Sequence, residues 1–174
     1  MKLVEYGIQT EKSDYRIHVC FKTTAVYFFK TAEAVRWLEA NSQRYKLTKA
    51  YQPGVSSHTA LGYLVPPFDI PGCRLIGFPL DRLHVVNCQR SDSPSIKGQK
   101  AVAISQTLFE RGIVPIPMKV TLVDAKNEQI KGIDVMAHTS INVQVKCDFD
   151  GGEGLWASGY LYLQTAERNP LGRH

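Results

Sequence analysis

The clearest alternation of apolar and polar residues in this chain is INVQVKCDF, at residues 141–149. Apolar residues occupy the odd positions and polar residues the even positions, which is typical of a β-strand with one buried face. Three further segments, at residues 119–123, 130–138 and 160–164, also read as strands. The sequence therefore predicts four strands after residue 118, the third of which carries a row of polar side chains.

Two other segments have helical spacing. TAEAVRWLEANS, at residues 31–42, predicts a helix of about three turns with Thr31 as its N-cap. IKGQKAVAISQTLFERG, at residues 96–112, predicts a longer helix with Ser95 as N-cap and Gly112 as the residue that ends it.

The N-terminal half is predicted to be a second mixed region. Residues 15–29 are rich in β-branched and aromatic types, with a turn near residues 22–24. Shorter strands are predicted at residues 61–65, 74–78 and 83–87. These elements predict an α+β fold, with a mixed or antiparallel central sheet flanked by helices.

The polar segment QRSDSPS, at residues 89–95, is the best internal boundary. It separates a basic N-terminal α+β module, residues 1–90, from a C-terminal core, residues 91–174. The two parts either form separate domains or pack as one.

The register between the second and third C-terminal strands decides which side chains share a face. A two-residue loop would pair Asp134 with Val145 and place a carboxylate on the apolar side. A three-residue loop, residues 138–140, pairs Asp134 with Gln144 and brings Lys146 to the same face. Because it keeps both apolar rows together, the three-residue loop is the predicted register.

Composition narrows the class of protein. The chain of 174 residues is 44% hydrophobic and 21% charged, as in globular proteins. It has no run of about 18 apolar residues, and the start MKLVEYGIQTEK lacks the apolar stretch of a signal peptide. Its four cysteines form no CxxC pair, which argues against a zinc ribbon or a redox dithiol. We expect a reducing, cytoplasmic setting and no membrane partner.

Charge points to a polyanionic partner. The formal net charge is +5, and all of it falls on residues 1–90, with 12 Lys and Arg against 7 Asp and Glu. Such a bias favours nucleic acid. The candidate contacts are Arg44, Lys46, Lys49, Arg74, Lys97 and Lys100. Tyrosines among the first four, Tyr45, Tyr51 and Tyr63, either stack on bases or are simply half-buried.

The pieces SIKGQKAVAISQTLFERG, KGIDVMA and INVQVKCDF together resemble the PD-(D/E)XK nuclease superfamily. Its signature is an acid on one strand of a hairpin and (D/E)-x-K on the next, and here Asp134 is followed by Gln144-Val145-Lys146. The Gln-x-Lys form is similar to that of intron-encoded homing endonucleases of the superfamily. The resemblance covers roughly residues 95–165 and implies a restriction-endonuclease-like core.

The resemblance also implies a mechanism and its residues. Asp134 would be the metal-binding acid, Gln144 would take the second-acid position, and Val145 would offer its backbone carbonyl. Lys146 would be the catalytic lysine. Mg²⁺ or Mn²⁺ would be the cofactor, since oxygen ligands suit these hard cations. The function implied is a Mg²⁺-dependent endonuclease that hydrolyses DNA, and the choice between DNA and RNA as its partner stays open. A homodimer or higher homo-oligomer is compatible with it.

Superfamily members usually add a helix and another strand after the lysine strand, whereas residues 150–174 leave room for one strand. Either the fold is trimmed or the N-terminal half supplies the missing layer. The alternative function is a non-catalytic nucleic-acid-binding protein on a degraded nuclease fold, and a third is an α+β small-molecule enzyme or assembly protein. For Asp134, Gln144 and Lys146, the alternative to a catalytic site is an ordinary solvated sheet face. Trp37 and Trp156 are expected in the core, with stacking on bases as the alternative. Asp148 and Asp150 are expected to solubilise the strand end, with a contribution to a metal site as the alternative.

Overall fold

The computed structural model describes residues 7–50, 60–78, 87–114, 120–122, 135–137 and 141–165. The strands in these ranges are β1 (Tyr15–Cys20), β2 (Ala25–Lys30), β3 (Lys46–Ala50), β4 (Ala60–Val65), β5 (Arg74–Gly77), β6 (Val120–Leu122), β7 (Val135–Ala137), β8 (Ile141–Cys147) and β9 (Leu161–Gln164). The α-helices are α1 (Thr31–Asn41) and α2 (Pro94–Glu110). The predicted α+β class is confirmed, and β3 is a strand that the sequence did not predict.

A six-stranded mixed sheet combines strands from both halves of the chain, in the order β5-β2-β1-β8-β7-β6. β1 and β8 run parallel, and every other pair of neighbours is antiparallel. β5, β2 and β1 precede the segment at residues 89–95, and the other three strands follow it. The segment therefore joins two parts of one sheet, which corresponds to the alternative in which the two halves pack together.

The hairpin of β7 and β8 has the predicted register. Ala137 lies opposite Ile141, and Val135 lies opposite Val143. This offset is the one that a three-residue loop produces. The register predicted from keeping both apolar rows on one face is therefore correct. Asp134 and residues 138–140 lie outside the described residues.

The position on the other side of β8 is filled by the N-terminal half. β1 pairs with β8 in parallel through five residue pairs, from Tyr15 with Val143 to Val19 with Cys147. Of the two outcomes left open for the layer beyond the lysine strand, the structure has the second. The strand beside β8 on this side therefore comes from the N-terminal half of the chain.

Helix α2 begins two residues earlier than predicted. The Ser93 hydroxyl, not that of Ser95, caps it by accepting a hydrogen bond from the Ile96 amide at 3.2 Å. Pro94 follows as the first helical residue, where its fixed φ and missing N–H are tolerated, and this moves the cap to Ser93. The helix ends at Glu110 with Arg111 as its C-cap, and Gly112, the predicted stop, follows with a φ of +65°.

Helix α1 also starts differently from the prediction. Thr31 is its first residue and Lys30 takes the N-cap position without a side-chain hydrogen bond. The Thr31 side chain is buried, and its hydroxyl lies 2.9 Å from the Ser13 hydroxyl. Its oxygen is therefore engaged away from the helix amides. The helix ends at Asn41, where the sequence predicted a break.

Each face of the large sheet carries its own apolar core. On one face, α2 packs against the sheet, chiefly through Ile17, Val19, Val26, Phe28, Ala101, Ile104, Leu108, Val143 and Val145. On the other face lie α1 and a second, antiparallel sheet of order β3-β4-β9. That core contains Cys20, Tyr27, Phe29, Ala34, Leu38, Tyr63, Val65, Leu161 and Leu163. Within the described ranges, neither helix has the length and apolar character needed to cross a membrane.

Candidate functional site: a polar row on two parallel strands

The parallel pairing of β1 and β8 aligns polar side chains from opposite ends of the sequence. Arg16 lies beside Gln144, and His18 lies beside Lys146. Their neighbours Ile17 and Val145 point into the α2 core, so these four side chains lie on the other face of the sheet. Asp148, just beyond β8, continues the line. We call Arg16, His18, Gln144, Lys146 and Asp148 the polar row.

Arg16 is a buried cation, and its counter-ion is the carboxylate of Glu11. Its side chain is 2% exposed, and one guanidinium nitrogen lies 3.2 Å from Glu11 Oε1, a carboxylate that is itself 6% exposed. Glu11 Oε2 accepts a hydrogen bond from the Ser13 hydroxyl at 2.7 Å. Because desolvating a charge is costly unless the charge is paired, Glu11 is what allows an arginine at this depth.

His18 is fully buried and takes part in two interactions. Arg16 Nε donates a hydrogen bond to His18 Nε2 at 2.9 Å. A guanidinium can only donate, so Nε2 carries no proton and the neutral ring has its hydrogen on Nδ1. His18 Nδ1 faces Asp148 Oδ2 at 3.4 Å. Burial is the main cause that lowers the pKa of His18, and the opposing effect of Asp148 is smaller. The imidazole is therefore neutral at pH 7.

Asp148 ties the polar row to the second sheet. The same oxygen that faces His18 accepts a hydrogen bond from the backbone N–H of Tyr162, in β9, at 2.8 Å. The carboxylate is 18% exposed. Its expected role, to solubilise the end of the strand, is therefore wrong, because it receives its hydrogen bonds from inside the protein.

Gln144 is the residue of the row that lacks full hydrogen bonding. It is 6% exposed, and its Nε2 lies at 3.5 Å from the Val145 carbonyl, a long contact. Its Oε1 is buried and has no hydrogen-bond partner among the described residues. An unpaired buried acceptor typically costs about 1–3 kcal/mol. Gln144 is therefore not part of a solvated sheet face. Its amide oxygen can accept a hydrogen bond or bind a cation.

The donor set fits a hard cation in part. An amide oxygen and a main-chain carbonyl are ligand types that Mg²⁺ and Mn²⁺ accept, and Gln144 and Val145 present both on adjacent residues. The described part of the chain holds no group of three or more His, Cys, Asp or Glu side chains suited to a metal. The predicted acidic ligand, Asp134, lies outside it. Lys146, the predicted catalytic lysine, is half-buried and adjacent to His18.

The predicted nucleic-acid contacts are divided among two sheet edges and one helix start. They are Arg44, Lys46 and Lys49 at or next to edge strand β3, Arg74 on edge strand β5, and Lys97 and Lys100 near the start of α2. The first four are exposed, while the last two are half-buried. Lys100 Nζ lies 2.8 Å from Asp92 Oδ2, so this lysine is paired within the protein.

The two tyrosines of this group that the structure describes, Tyr45 and Tyr63, are engaged within the protein, and the Arg44 guanidinium lies 5.7 Å from the centre of the Tyr45 ring. Tyr63 is fully buried in the core beside α1. Tyr45 is half-buried and donates its hydroxyl hydrogen to Asp69 Oδ2 at 2.9 Å. Tyr51 lies outside the described residues. For Tyr63 the half-buried alternative understates the burial, because β4 is the central strand of the second sheet.

A second polar group lies at the end of β8. Arg90 and Lys97 each lie 5.2 Å from the centre of the Phe149 ring. Arg90 forms two hydrogen bonds to Asp150, and Lys22 Nζ lies 3.6 Å from the same carboxylate. These cations, Arg90 above all, lower the pKa of Asp150. Asp150, like Asp148, is therefore a partnered residue instead of a free solubilising one.

Sequence reasoning missed Arg16, His18 and Glu11. A local signal for the first two exists in YRIHVC, where polar residues at positions 16 and 18 alternate with Ile17 and Val19. The alternation resembles that of INVQVKC, but nothing in the sequence indicates that β1 and β8 are neighbours. Glu11 precedes β1 and gives no comparable signal.

Comparison with known proteins does not indicate what the polar row does. No family model matches the chain, and neither the curated proteins nor the solved structures contain a match. What the polar row can bind and do is therefore to be judged from its own side chains.

Proposed function

We propose that the protein is a Mg²⁺- or Mn²⁺-dependent endonuclease that hydrolyses phosphodiester bonds of DNA inside the cell. The observation that carries the proposal is the unpartnered amide oxygen of Gln144, which is buried at the position where the resemblance to PD-(D/E)XK nucleases expects a metal ligand. Such an atom costs stability unless a ligand satisfies it. The Gln-x-Lys sequence and the register of β7 with β8 support the same interpretation.

Each residue of the site would have a separate task. Asp134, Gln144 Oε1 and the Val145 carbonyl would hold the metal. The metal, when bound, polarises a phosphate and activates a water molecule. Lys146 would orient that water or stabilise charge that develops on the phosphate.

The rest of the polar row would keep this chemistry in place. A neutral His18 next to Lys146 places no second positive charge beside the lysine, and Glu11 balances Arg16. With one neutral ligand in place of an acid, the free protein would bind metal weakly, and bound DNA would contribute the missing negative charge.

Plasmid cleavage tests the proposal. Supercoiled DNA is incubated with wild type, Lys146→Ala and Asp134→Ala, in Mg²⁺, in Mn²⁺ and in EDTA. Wild type should nick or linearise the plasmid only with metal, and both variants should lose on the order of 100-fold or more in rate, as when a transition-state contact is removed. Lys12→Ala removes an exposed lysine outside the site and serves as the matched control. Equal cleavage by wild type and Lys146→Ala would contradict the proposal.

One observation favours a second function, that of a non-catalytic nucleic-acid-binding protein. The described residues hold no group of three or more His, Cys, Asp or Glu side chains that could bind a metal. Gln144 is also neutral at a position where the PD-(D/E)XK signature has an acid. Binding of DNA or RNA in EDTA, with an affinity that falls steeply with salt and with no cleavage in either metal, is the result expected of it. Sedimentation of the same samples would report whether a homodimer or a higher homo-oligomer forms.

A further inference from the structure

The loop that follows β8 presents two large apolar side chains to solvent. Leu155 is 83% exposed and Trp156 is 80% exposed, the highest values among the large hydrophobic residues of the described chain. The sequence-based expectation that Trp156 belongs to the core is therefore wrong. We call this pair the Leu–Trp tip.

The loop has an ordered backbone. The Gly152 amide donates to the Tyr160 carbonyl at 3.0 Å, and the Gly159 amide donates to the Gly152 carbonyl at 3.0 Å. The Ser158 amide donates to the Asp150 carbonyl at 2.9 Å. These hydrogen bonds close the base of the loop, so the tip is held out from the protein by a defined framework.

The loop is fixed to the same face of the sheet as the polar row. Gly152 has a φ of +83° and lies so close to Tyr27 that an added Cβ would come within 2.6 Å of its ring, so only glycine fits. The Glu153 amide donates to the Tyr27 hydroxyl at 3.0 Å. Tyr27 pairs with His18, and His18 pairs with Lys146. Two strand spacings, roughly 10 Å, thus separate the Cα atoms of Tyr27 and Lys146.

Trp156 has an unusual backbone conformation for its residue type. Its φ is +65°, in the left-handed region that disfavours residues with a side chain. At 80% exposure, little packing of the indole offsets this strain. Residues in such conformations concentrate at binding and catalytic sites.

Cations lie at the foot of the loop. Lys22 and Arg90 contact Asp150, and Lys97 lies over the Phe149 ring beside it. Three positive charges stand there against Asp150 and the exposed Glu153. An aromatic side chain near cations is the combination with which proteins bind unpaired bases and the adjoining phosphates.

We infer that the Leu–Trp tip stacks on an unpaired nucleotide base of the substrate, beside the strand that the polar row would cut. This inference rests on the proposed function and names the substrate feature that is recognised. A base offers a flat π-face small enough for two side chains to cover. A stable protein interface buries about 800 Å² on each partner, far more than this pair supplies.

Tryptophan fluorescence tests the inference. The chain has two tryptophans, so Trp37→Phe leaves Trp156 as the only reporter. Titration with single-stranded DNA in EDTA, where no metal-dependent cleavage occurs, should quench the emission at least twofold. Fluorescence polarisation of labelled DNA with otherwise wild-type protein should show Trp156→Ala binding about 5- to 150-fold more weakly. Trp156→Phe should stay within about threefold, because it retains an aromatic face.

Controls separate this inference from the proposed function. Ile113→Ala, at another exposed apolar residue, should leave the affinity for DNA unchanged. Because Trp156 packs on little, Trp156→Ala should move the thermal midpoint by less than about 2 °C. Lys146→Ala should abolish cleavage and preserve quenching. Unchanged DNA affinity in Trp156→Ala, or a blue shift of the emission with anionic vesicles and none with DNA, would overturn the inference. If wild type shows quenching by DNA but no cleavage, the result would count against the proposed nuclease activity and would support base stacking by the Leu–Trp tip.

Discussion

The two faces of β1 and β8 are buried to a similar degree and are built in opposite ways. On the α2 face, Ile17 and Val19 are fully buried beside Val143 and Val145. On the other face, Arg16 is 1% exposed and His18 is fully buried. Burial alone therefore does not distinguish the faces. The apolar face needs only close packing, whereas each polar atom on the other face needs a partner.

This difference changes how each face contributes to stability. Apolar side chains contribute through the area that they bury, and each loss leaves a cavity. The polar row contributes through pairs, so a single change leaves the other member buried and uncompensated. A buried polar face is thus easily damaged by one substitution and is more tolerant of matched changes.

The largest predicted effect is at the Arg16–Glu11 pair. Glu11→Leu should cost about 3–5 kcal/mol in the free energy of unfolding, because it leaves the Arg16 charge buried without a counter-ion. Glu11→Leu with Arg16→Met should be clearly more stable than Glu11→Leu alone. Urea unfolding of wild type, both single variants and the double variant measures this.

Ile17→Ala on the opposite face is the matched comparison, with an expected cost of about 2–5 kcal/mol for the lost apolar burial and the cavity together. The contrast between the faces is refuted if the Glu11→Leu, Arg16→Met protein is as unstable as the sum of its single variants. That result would mean that Arg16 and Glu11 act independently.

A smaller effect is expected from pH, through His18. Burial lowers the pKa of His18 in the folded protein, so protons bind the unfolded chain better. The effect of His18 on the free energy of unfolding is constant above the unfolded pKa of about 6.5. Below that pH, the free energy of unfolding falls by at most about 1.4 kcal/mol per pH unit, until the pH reaches the folded pKa of His18. Urea unfolding between pH 7.5 and 5.5 should show this loss.

A His18→Asn variant isolates the effect of the histidine. It should be less stable at pH 7.5, because the contacts with Arg16 and Asp148 are altered, and its stability should fall less steeply toward pH 5.5. Equal slopes for wild type and His18→Asn would show that His18 is not responsible.

Local pattern was sufficient to predict β8 and its pairing with β7. The alternation over residues 141–149 gave a strand now seen at Ile141–Cys147, and segregation of apolar residues gave the pairing of Ala137 with Ile141. Both depend on residues close together in sequence, where side-chain period and loop length determine the answer. The end of α2 just before Gly112 was predictable for the same reason.

The content of the site could not be predicted in this way. β1 and β8 are separated by about 120 residues, and their parallel pairing depends on the whole sheet. In the sequence alone, Arg16 and His18 belong to a segment with no visible link to β8. Polar residues of an alternating strand are also ordinarily assigned to solvent, and the second sheet that covers this face was only partly predicted. The buried character of Gln144 follows from that cover.

The smallest predicted effect is at Gln144. It tests the contrast between the two faces at the one polar-row atom described above as buried without a hydrogen-bond partner. Gln144→Met replaces an amide with an unpaired oxygen by an apolar side chain of similar length, so it should raise the free energy of unfolding by about 1 kcal/mol. Gln99→Met makes the same change at an exposed position of α2 and should stay within about 0.5 kcal/mol of wild type. Urea unfolding in EDTA measures both variants. In Mn²⁺, wild type should gain stability that Gln144→Met does not, because the amide oxygen is the ligand removed. A loss of stability in EDTA would mean that the Gln144 oxygen is satisfied within the folded protein, and the case for a metal at this position would fail with it.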